Sequence, residues 1–533
     1  MLQIIIKKLA EYCNSKNRWW IPLITGFTFA LCLPPFNHEF KWFFAPFPFL
    51  SFVILIPLLS FSIMKPFKKA VLFTFLYSVS AALVQFYWIG FVTAEGLWHL
   101  ILLGLVLISI TIGSIYLCAG MLFRLTYKMT GRFYIFIFPA IWVCIDYLRT
   151  LGDISFPWAF LGYSLTPFLS LAQLATITGV WGLTYLIVLG NILIWEVLVN
   201  YSQQENTIQK WLHVSLLGLL IVGISIWGYF NIKQPIQTEK SSVALIQTNI
   251  DQFHWGNNSL DSAFLITEKM IKDASQSKPE FIVGPESALL CYLKRRPDLS
   301  SQVTSWAETT KTPLLLGALH WDKGPVGSVY EYFVYNSAFL FEPNSSEIPH
   351  YNKNKLVPFS EIMPFENIIP LLSRVNLGEA DFHRGELPTI FKVNEKIKAA
   401  PFICYEIIFP SFVQKRLLDG ANLIVTITND GWFGKTSGPY QHAIMARMRA
   451  IENRISVVRC ANSGISMLVD PFGRVYKQSE LYVRTIINGD ISLKNADTFY
   501  SQHGDWFVIT SFILFLSGIL LYLTGIFKKR RSE

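Results

Sequence analysis

Apolar residues fill most of the first 230 or so positions and the last 30, while the stretch between them alternates short apolar runs with polar punctuation. A bilayer core about 30 Å thick takes about 20 apolar helical residues to cross. Such spans are expected at 20–33, 43–64, 70–92, 98–123, 133–150, 176–199, 211–230 and 506–527, eight in all. The first ends at Pro34-Pro35 with no small-residue cleavage site, so it reads as a transmembrane helix and not as a signal peptide. Segment 151–170 (LGDISFPWAFLGYSLTPFLS) is too polar to span. Its Trp158, Phe160 and Tyr163 either sit at headgroup level or belong to a plain connecting loop.

From Glu239 to Asn495 the pattern changes. Strand-like runs at 243–247, 280–284, 314–319, 338–342, 423–428 and 455–460 alternate with helical patterns at 260–275, 298–309, 409–419 and 440–454. Strands alternating with helices predict an α/β layered domain with buried sheets. The expected division is a membrane domain at 1–235, a catalytic domain at 239–495, and a final span with a basic tail at 504–533.

The net charge of +9 sits beside the apolar spans, in 65–69 (KPFKK), 124–132 (RLTYKMTGR) and the KKRR at 528–531. This is the bias of cytoplasmic loops. It predicts both termini in the cytoplasm and the polar insert on the outer side of the membrane. Anionic lipid headgroups suit such charge better than nucleic acid, for which no motif is present. Seven cysteines without CxxC spacing do not make a disulfide scaffold, although a Cys291–Cys460 bridge stays open. No histidine pair has metal-ligand spacing, so neither metal nor cofactor is expected.

The run AAPFICYEIIFP (399–410) carries a thiol to the end of a buried-looking strand. A thiol attacks an acyl carbon as thiolate and needs a base within reach. His442 is the one histidine in a rich polar setting. Glu286, after FIVGP, is a carboxylate at a strand end, either a base with a raised pKa or the N-cap of a helix over 287–292. Lys353 and Lys355, in HYNKNKLVPFSE, are each placed to donate to an oxyanion or to lie solvated in a loop. The apolar segment 362–372 (IMPFENIIPLL) is either a mobile arm over a lipid entrance or a loop folded into the core. Cys460 reads as core. Arg447, Arg449, Glu452 and Arg454, at helical spacing, read as a solvated or subunit-packing salt-bridge face.

Glu in GPES, Lys in YNKNKLVPFSE and Cys in CYE follow one another 67 and 51 residues apart. With LIQTNIDQFHW (245–255), YNS (335–337), NDGWFG (429–434), HAIMARMRAIENR (442–454) and ANSGIS (461–466), they resemble the nitrilase superfamily. Together with the flanking helices they resemble its membrane branch, the bacterial apolipoprotein N-acyltransferases. That resemblance implies a multi-span helical membrane domain of about eight helices carrying an inserted αββα sandwich. It implies a general base at Glu286, an oxyanion donor at Lys353 and not Lys355, and a nucleophile at Cys404. Glu361, Tyr405 and Glu406 fall on supporting positions, and Trp255, Asn336 and Phe365 on positions for substrate or access. The sequence departs from the family pattern at Ser360 and Gly284. The implied reaction moves an acyl chain from a membrane phospholipid, through a Cys thioester, to the N-terminal amine of a diacylglyceryl-cysteine apolipoprotein. A monomer in the bacterial cytoplasmic membrane is the family expectation. Two alternatives are a membrane-tethered amidase that passes its acyl group to water and an inactive lipid transporter or scaffold. Transporters carry charge within their spans, and here Asp146 and Glu196 are nearly the only acidic candidates.

Overall fold

A computed structural model describes residues 18–32, 47–92, 97–198, 207–235, 239–251, 257–324, 331–365, 382–386, 389–494 and 496–523. Among them, six helices are long and apolar enough to cross a membrane: Phe67–Gln85, Trp98–Met129, Gly131–Leu148, Val180–Leu198, Trp211–Lys233 and Trp506–Leu523. This is an integral membrane protein, but the expected count of eight spans is not reached among these residues.

Two expected spans are not among the six, and in one a break in the helix is bridged by polar side chains. Segment 43–64 is described as a 3-10 turn at Phe47–Phe52 and a nine-residue helix at Ile56–Met64 with proline in its first turn. Asn191 bridges the break, donating to Ser51 O and accepting from Leu55 N, each at 2.7 Å. Tyr77 donates to Ile54 O at 2.6 Å. Backbone groups freed inside a membrane need such partners. Segment 20–33 is an eight-residue helix, Trp20–Phe27, continuing as a 3-10 turn to Cys32. Segment 151–170 is neither a headgroup belt nor a plain loop, since every residue from Pro157 to Thr166 is buried.

The polar insert folds as two sheets. One joins β1 (Lys240–Gln247), β2 (Phe281–Val283), β3 (Leu289–Tyr292), β4 (Leu314–Lys323), β5 (Tyr332–Phe341), β6 (His350–Asn352) and β13 (Thr485–Ser492), in the order β13-β1-β2-β4-β5-β6 with β3 on β4. The other runs β12-β11-β10-β9-β8-β7, from Val475–Gln478, Met467–Val469, Val457–Ala461, Leu423–Thr428, Lys398–Ile403 and Phe391–Lys392 respectively. Side chains alternate across a strand, and that alternation sorts the layers. Val243, Leu245, Val283, Leu315, Ile403, Val425, Ile427 and Cys460 meet in a core between the sheets. Ala244, Ile246, Leu314 and Leu316 face the helices Asn257–Ser275 and Pro297–Thr310. Ala400, Phe402, Ile424 and Val457 face the helices Pro410–Leu417 and Gly438–Asn453, in a core that runs on into the membrane helices. The result is an αββα sandwich with one helical layer wedged against the membrane half. Cys291 and Cys460 are both free thiols, which removes the possible bridge.

The wedged layer overturns the expected salt-bridge face. Arg449 and Glu452 are fully buried and paired at 3.0 Å. Glu452 accepts from Val180 N and Arg449 donates to the Tyr163 hydroxyl, both at 3.0 Å. At the edges of this face Arg454 reaches Gln173 Oε1 and Arg447 reaches Gly473 O, and both are half-buried. Arg449, Glu452 and Arg454 looked solvated because each has a partner some 270 or more residues earlier in the chain.

Candidate active site

Strand ends from both sheets converge on one point. Beyond β2 the chain turns at Gly284-Pro285-Glu286 and re-enters the sheet as β3. Glu286 therefore caps no helix. Gly317 of β4 lies beneath this turn, where a Cβ would come within 2.7 Å of the Glu286 Cα, so only glycine allows the approach. Lys353 leaves β6 with its backbone N–H on Asn336 O at 2.8 Å. Cys404 directly follows β8 and opens a 3-10 turn with φ of +50°, a left-handed backbone unusual for a residue with a Cβ.

Lys353 is buried, with Nζ 2.7 Å from Glu361 Oε1 and 3.4 Å from Glu286 Oε1. Burial alone would discharge it, but the two carboxylates outweigh burial and hold its pKa well above the ordinary lysine value. Asn336, on β5, donates to Glu286 Oε1 at 2.7 Å and to Glu361 Oε1 at 3.4 Å. Glu361 is itself fixed by the Val357 N–H on its second oxygen at 2.9 Å. Burial, reinforced by the Glu361 charge, raises the Glu286 pKa, while Lys353 and Asn336 pull it back. Burial and then the Glu286 charge raise the Cys404 thiol, against the opposing pull of Lys353. Burial thus favours the protonated form of both the Cys404 thiol and the Glu286 carboxyl, and Lys353 opposes it at each.

Glu406 works on the backbone around the thiol. Fully buried, it accepts from Tyr351 Oη at 2.6 Å, Asn354 N at 2.7 Å, Lys355 N at 3.1 Å and Ile403 N at 2.7 Å. It ties the Lys353 loop to the Cys404 strand. Tyr405 points the other way, donating to Ser155 O of the membrane half at 2.6 Å and stacking on Phe156. Lys355 lies apart, with Nζ over the Phe409 and Phe412 rings at 5.4 and 5.8 Å. The two lysines thus differ in surroundings, Lys353 buried against two carboxylates and Lys355 half-buried over aromatic rings.

Of the expected access residues, Phe365 is 41% exposed with φ of +63°. Trp255 and positions 366–372 of the apolar segment lie outside the described residues. Gly284 packs tightly, its Cβ position 2.5 Å from Leu316, which explains why no bulky side chain stands there.

Sequence reasoning missed a second buried cluster behind Cys404. His442 Nε2 contacts Cys404 O at 3.1 Å, and its Nδ1 contacts Asp430 Oδ1 at 2.9 Å. Arg459 donates to Asp430 Oδ2 at 2.6 Å. The Asn429-Asp430 strand end and the polar setting of His442 were the available signals. The membrane half as a wall of the site carried no local signal.

Residues 25–193 match the family described as apolipoprotein N-acyltransferase N-terminal domain, and residues 242–500 match carbon-nitrogen hydrolase. The apolipoprotein N-acyltransferase of Geobacter metallireducens is 34% identical over 372 residues, spanning 69% of this chain and 70% of that protein. The enzyme of the same name from Haemophilus influenzae is 32% identical over 411 residues, spanning 74% of this chain and 75% of that protein. Among solved structures, an amidase of the nitrilase superfamily from Nesterenkonia AN1 superposes with a TM-score of 0.38 at 18% identity, over 52% of this chain and 98% of that one.

Proposed function

Since the chain belongs to the apolipoprotein N-acyltransferase family, we propose that it acylates lipoproteins in two half-reactions at Cys404. Glu286 takes the thiol proton, and the thiolate attacks the ester carbonyl of a membrane phospholipid. Lys353 stabilises the oxyanion. The tetrahedral intermediate collapses, the lysophospholipid alkoxide takes the proton from Glu286, and a thioester remains on Cys404. The α-amino group of a diacylglyceryl-cysteine apolipoprotein then attacks the thioester. Glu286 removes a proton from that nitrogen, the amide forms, and the departing thiolate recovers the proton. Ping-pong kinetics follow from the covalent intermediate.

The observation that carries this reading is the buried Lys353 between Glu286 and Glu361, electrostatically linked to Cys404. Glu361 and Asn336 hold Lys353 and Glu286 in place, and Glu406 sets the Cys404 turn. Trp255 and Phe365 serve substrate access. The basic segments 65–69, 124–132 and 528–531 support a periplasmic 239–495 unit with both termini cytoplasmic, and the family resemblance supports a monomer. The flanking units are then 1–235 and 504–533.

The test is mass spectrometry of the Cys404 peptide after incubation with phospholipid, which should carry one fatty acyl chain. Triacylated lipoprotein from Cys404→Ser would refute the scheme. Lys353→Ala should abolish turnover and Lys355→Ala should leave most of it; equal losses would remove Lys353 from its role. Glu286 must be ionised to act and its pKa is raised, so the rate should fall with acid from a pH above the ordinary carboxylate range.

A further inference from the structure

Cys404 is presented on a left-handed backbone, and that conformation needs anchors. Glu406 supplies one on the strand side, through the Ile403 N–H at 2.7 Å. The exit side is held by a residue that the scheme above does not use. We propose that His442 is a positioning residue for the nucleophile, clamping the Cys404 carbonyl from a rigid Asp430–Arg459 base and so aiming the thiol at Glu286 and Lys353. The proposal rests on Cys404 being the nucleophile.

The geometry gives direction to the clamp. A carbonyl oxygen only accepts, so the 3.1 Å contact places a proton on His442 Nε2. His442 Nδ1 faces both Asp430 Oδ1 at 2.9 Å and an Arg459 N–H at 3.2 Å, so it has a partner whether it donates or accepts. Asp430 is over-determined in turn, accepting from Arg459 at 2.6 Å and from the Thr428 hydroxyl at 3.0 Å. Arg459 is tied to Ile465 O at 3.1 Å. His442, Asp430 and Arg459 are at most 1% exposed. Burial raises the Asp430 pKa, but Arg459 and His442 outweigh it and bring it to about 2, so the base of the clamp stays anionic. The Trp158 ring of the membrane half covers the imidazole at 5.4 Å between centroids and is itself fixed through Nε1 to Gln441 at 2.8 Å.

Such a network serves either to brace the fold or to orient the thiol, and two substitutions separate these. In His442→Gln the amide nitrogen reaches the place of Nε2 and keeps the donor to Cys404 while losing Asp430. In His442→Asn the amide reaches only the place of Nδ1, keeping Asp430 and losing the carbonyl. The readout is the rate of thioester formation on Cys404 in the full chain in detergent, with kcat and KM separated and melting temperatures compared. A misplaced nucleophile costs on the order of 100-fold, so the Asn variant should lose about that in kcat with KM unchanged, and the Gln variant should recover most of it. Alkylation of Cys404 by iodoacetamide, which needs no substrate, should slow in the same order. Equal losses in the two variants, or an Asn variant that acylates as fast as the natural protein, would overturn the clamp. An unmodified Cys404 in the natural protein would instead refute the nucleophile assignment itself.

Discussion

The two helical layers of the sandwich have different surroundings, one facing solvent and the other packed on the membrane helices. In the layer over β1, β2 and β4, Lys272 and Glu268 pair at 2.5 Å with 57% and 24% of their side chains exposed. In the layer over β8, β9 and β10, Arg449 and Glu452 pair at 3.0 Å with nothing exposed. The first pair decorates a surface. The second sits where the catalytic domain meets the membrane half, beside contacts from Trp158, Tyr163 and Val180. The difference locates the functional direction of the fold. The Cys404 carbonyl meets His442 of the layer that is pressed on the membrane half, and both Tyr405 and His442 touch that half directly. The cysteine proposed as nucleophile is thus braced, through Tyr405 and His442, by the half of the chain that carries the apolar helices.

The comparison would break most visibly at Arg449. At pH 8, where Glu452 is ionised, removing its partner strands a buried charge or forces its protonation, a loss of up to about 3–5 kcal/mol. Arg449→Ala should therefore lower the melting temperature of the full chain sharply, and a loss under about 1 kcal/mol would mean that water reaches the seam. Replacing both partners together, as Arg449→Met with Glu452→Leu, should cost much less than either single change, because no charge is stranded.

A smaller effect should appear in the pH dependence of stability. Burial raises the Glu452 pKa to about 7, with Arg449 opposing. An acid held above its unfolded value binds its proton more tightly in the folded state. Its contribution is full below about pH 4.5 and is lost as pH rises through about 7. The natural protein should lose on the order of 1–3 kcal/mol over that window relative to Glu452→Gln, read from melting temperatures at pH 5 and pH 8. Parallel curves would show that Glu452 is ionised throughout.

Much of the fold was legible because it depends on short-range alternation. The run LIVTIT is β9 residue for residue, and 298–309 lies within the helix Pro297–Thr310. That Glu286, Lys353 and Cys404 belong together was implied by the family resemblance of their motifs, and the structure places Asn336 and Glu361 beside Glu286 and Lys353, and Glu406 beside the Cys404 turn. What failed to show was long-range pairing. Nothing near position 55 announces that Asn191 will take up its N–H, so a break in the helix was read as a span. Nothing near Arg449 announces Tyr163. The polar pattern of 151–170 suggested water or headgroups, whereas its aromatics pack under the catalytic domain. Periodicity reports that a face is polar and says nothing of what lies opposite.

The smallest expected effect is the sharpest control on this reading. Lys272 and Glu268 form an i,i+4 pair on a helix whose outer side meets solvent, the same kind of local pair as Arg449 with Glu452. If local pairing were what stabilised these helices, Lys272→Ala and Arg449→Ala would cost alike. Exposed pairs at this spacing contribute only about 0.3–0.5 kcal/mol, because the charges are solvated with or without each other and salt screens them. Lys272→Ala should thus shift the melting temperature barely, and the shift should shrink further at high salt. The Arg449→Ala loss should persist at high salt, since screening does not reach a sealed pair. Similar losses in the two variants, or a salt dependence common to both, would place Arg449 at a wet surface and remove the distinction between the layers.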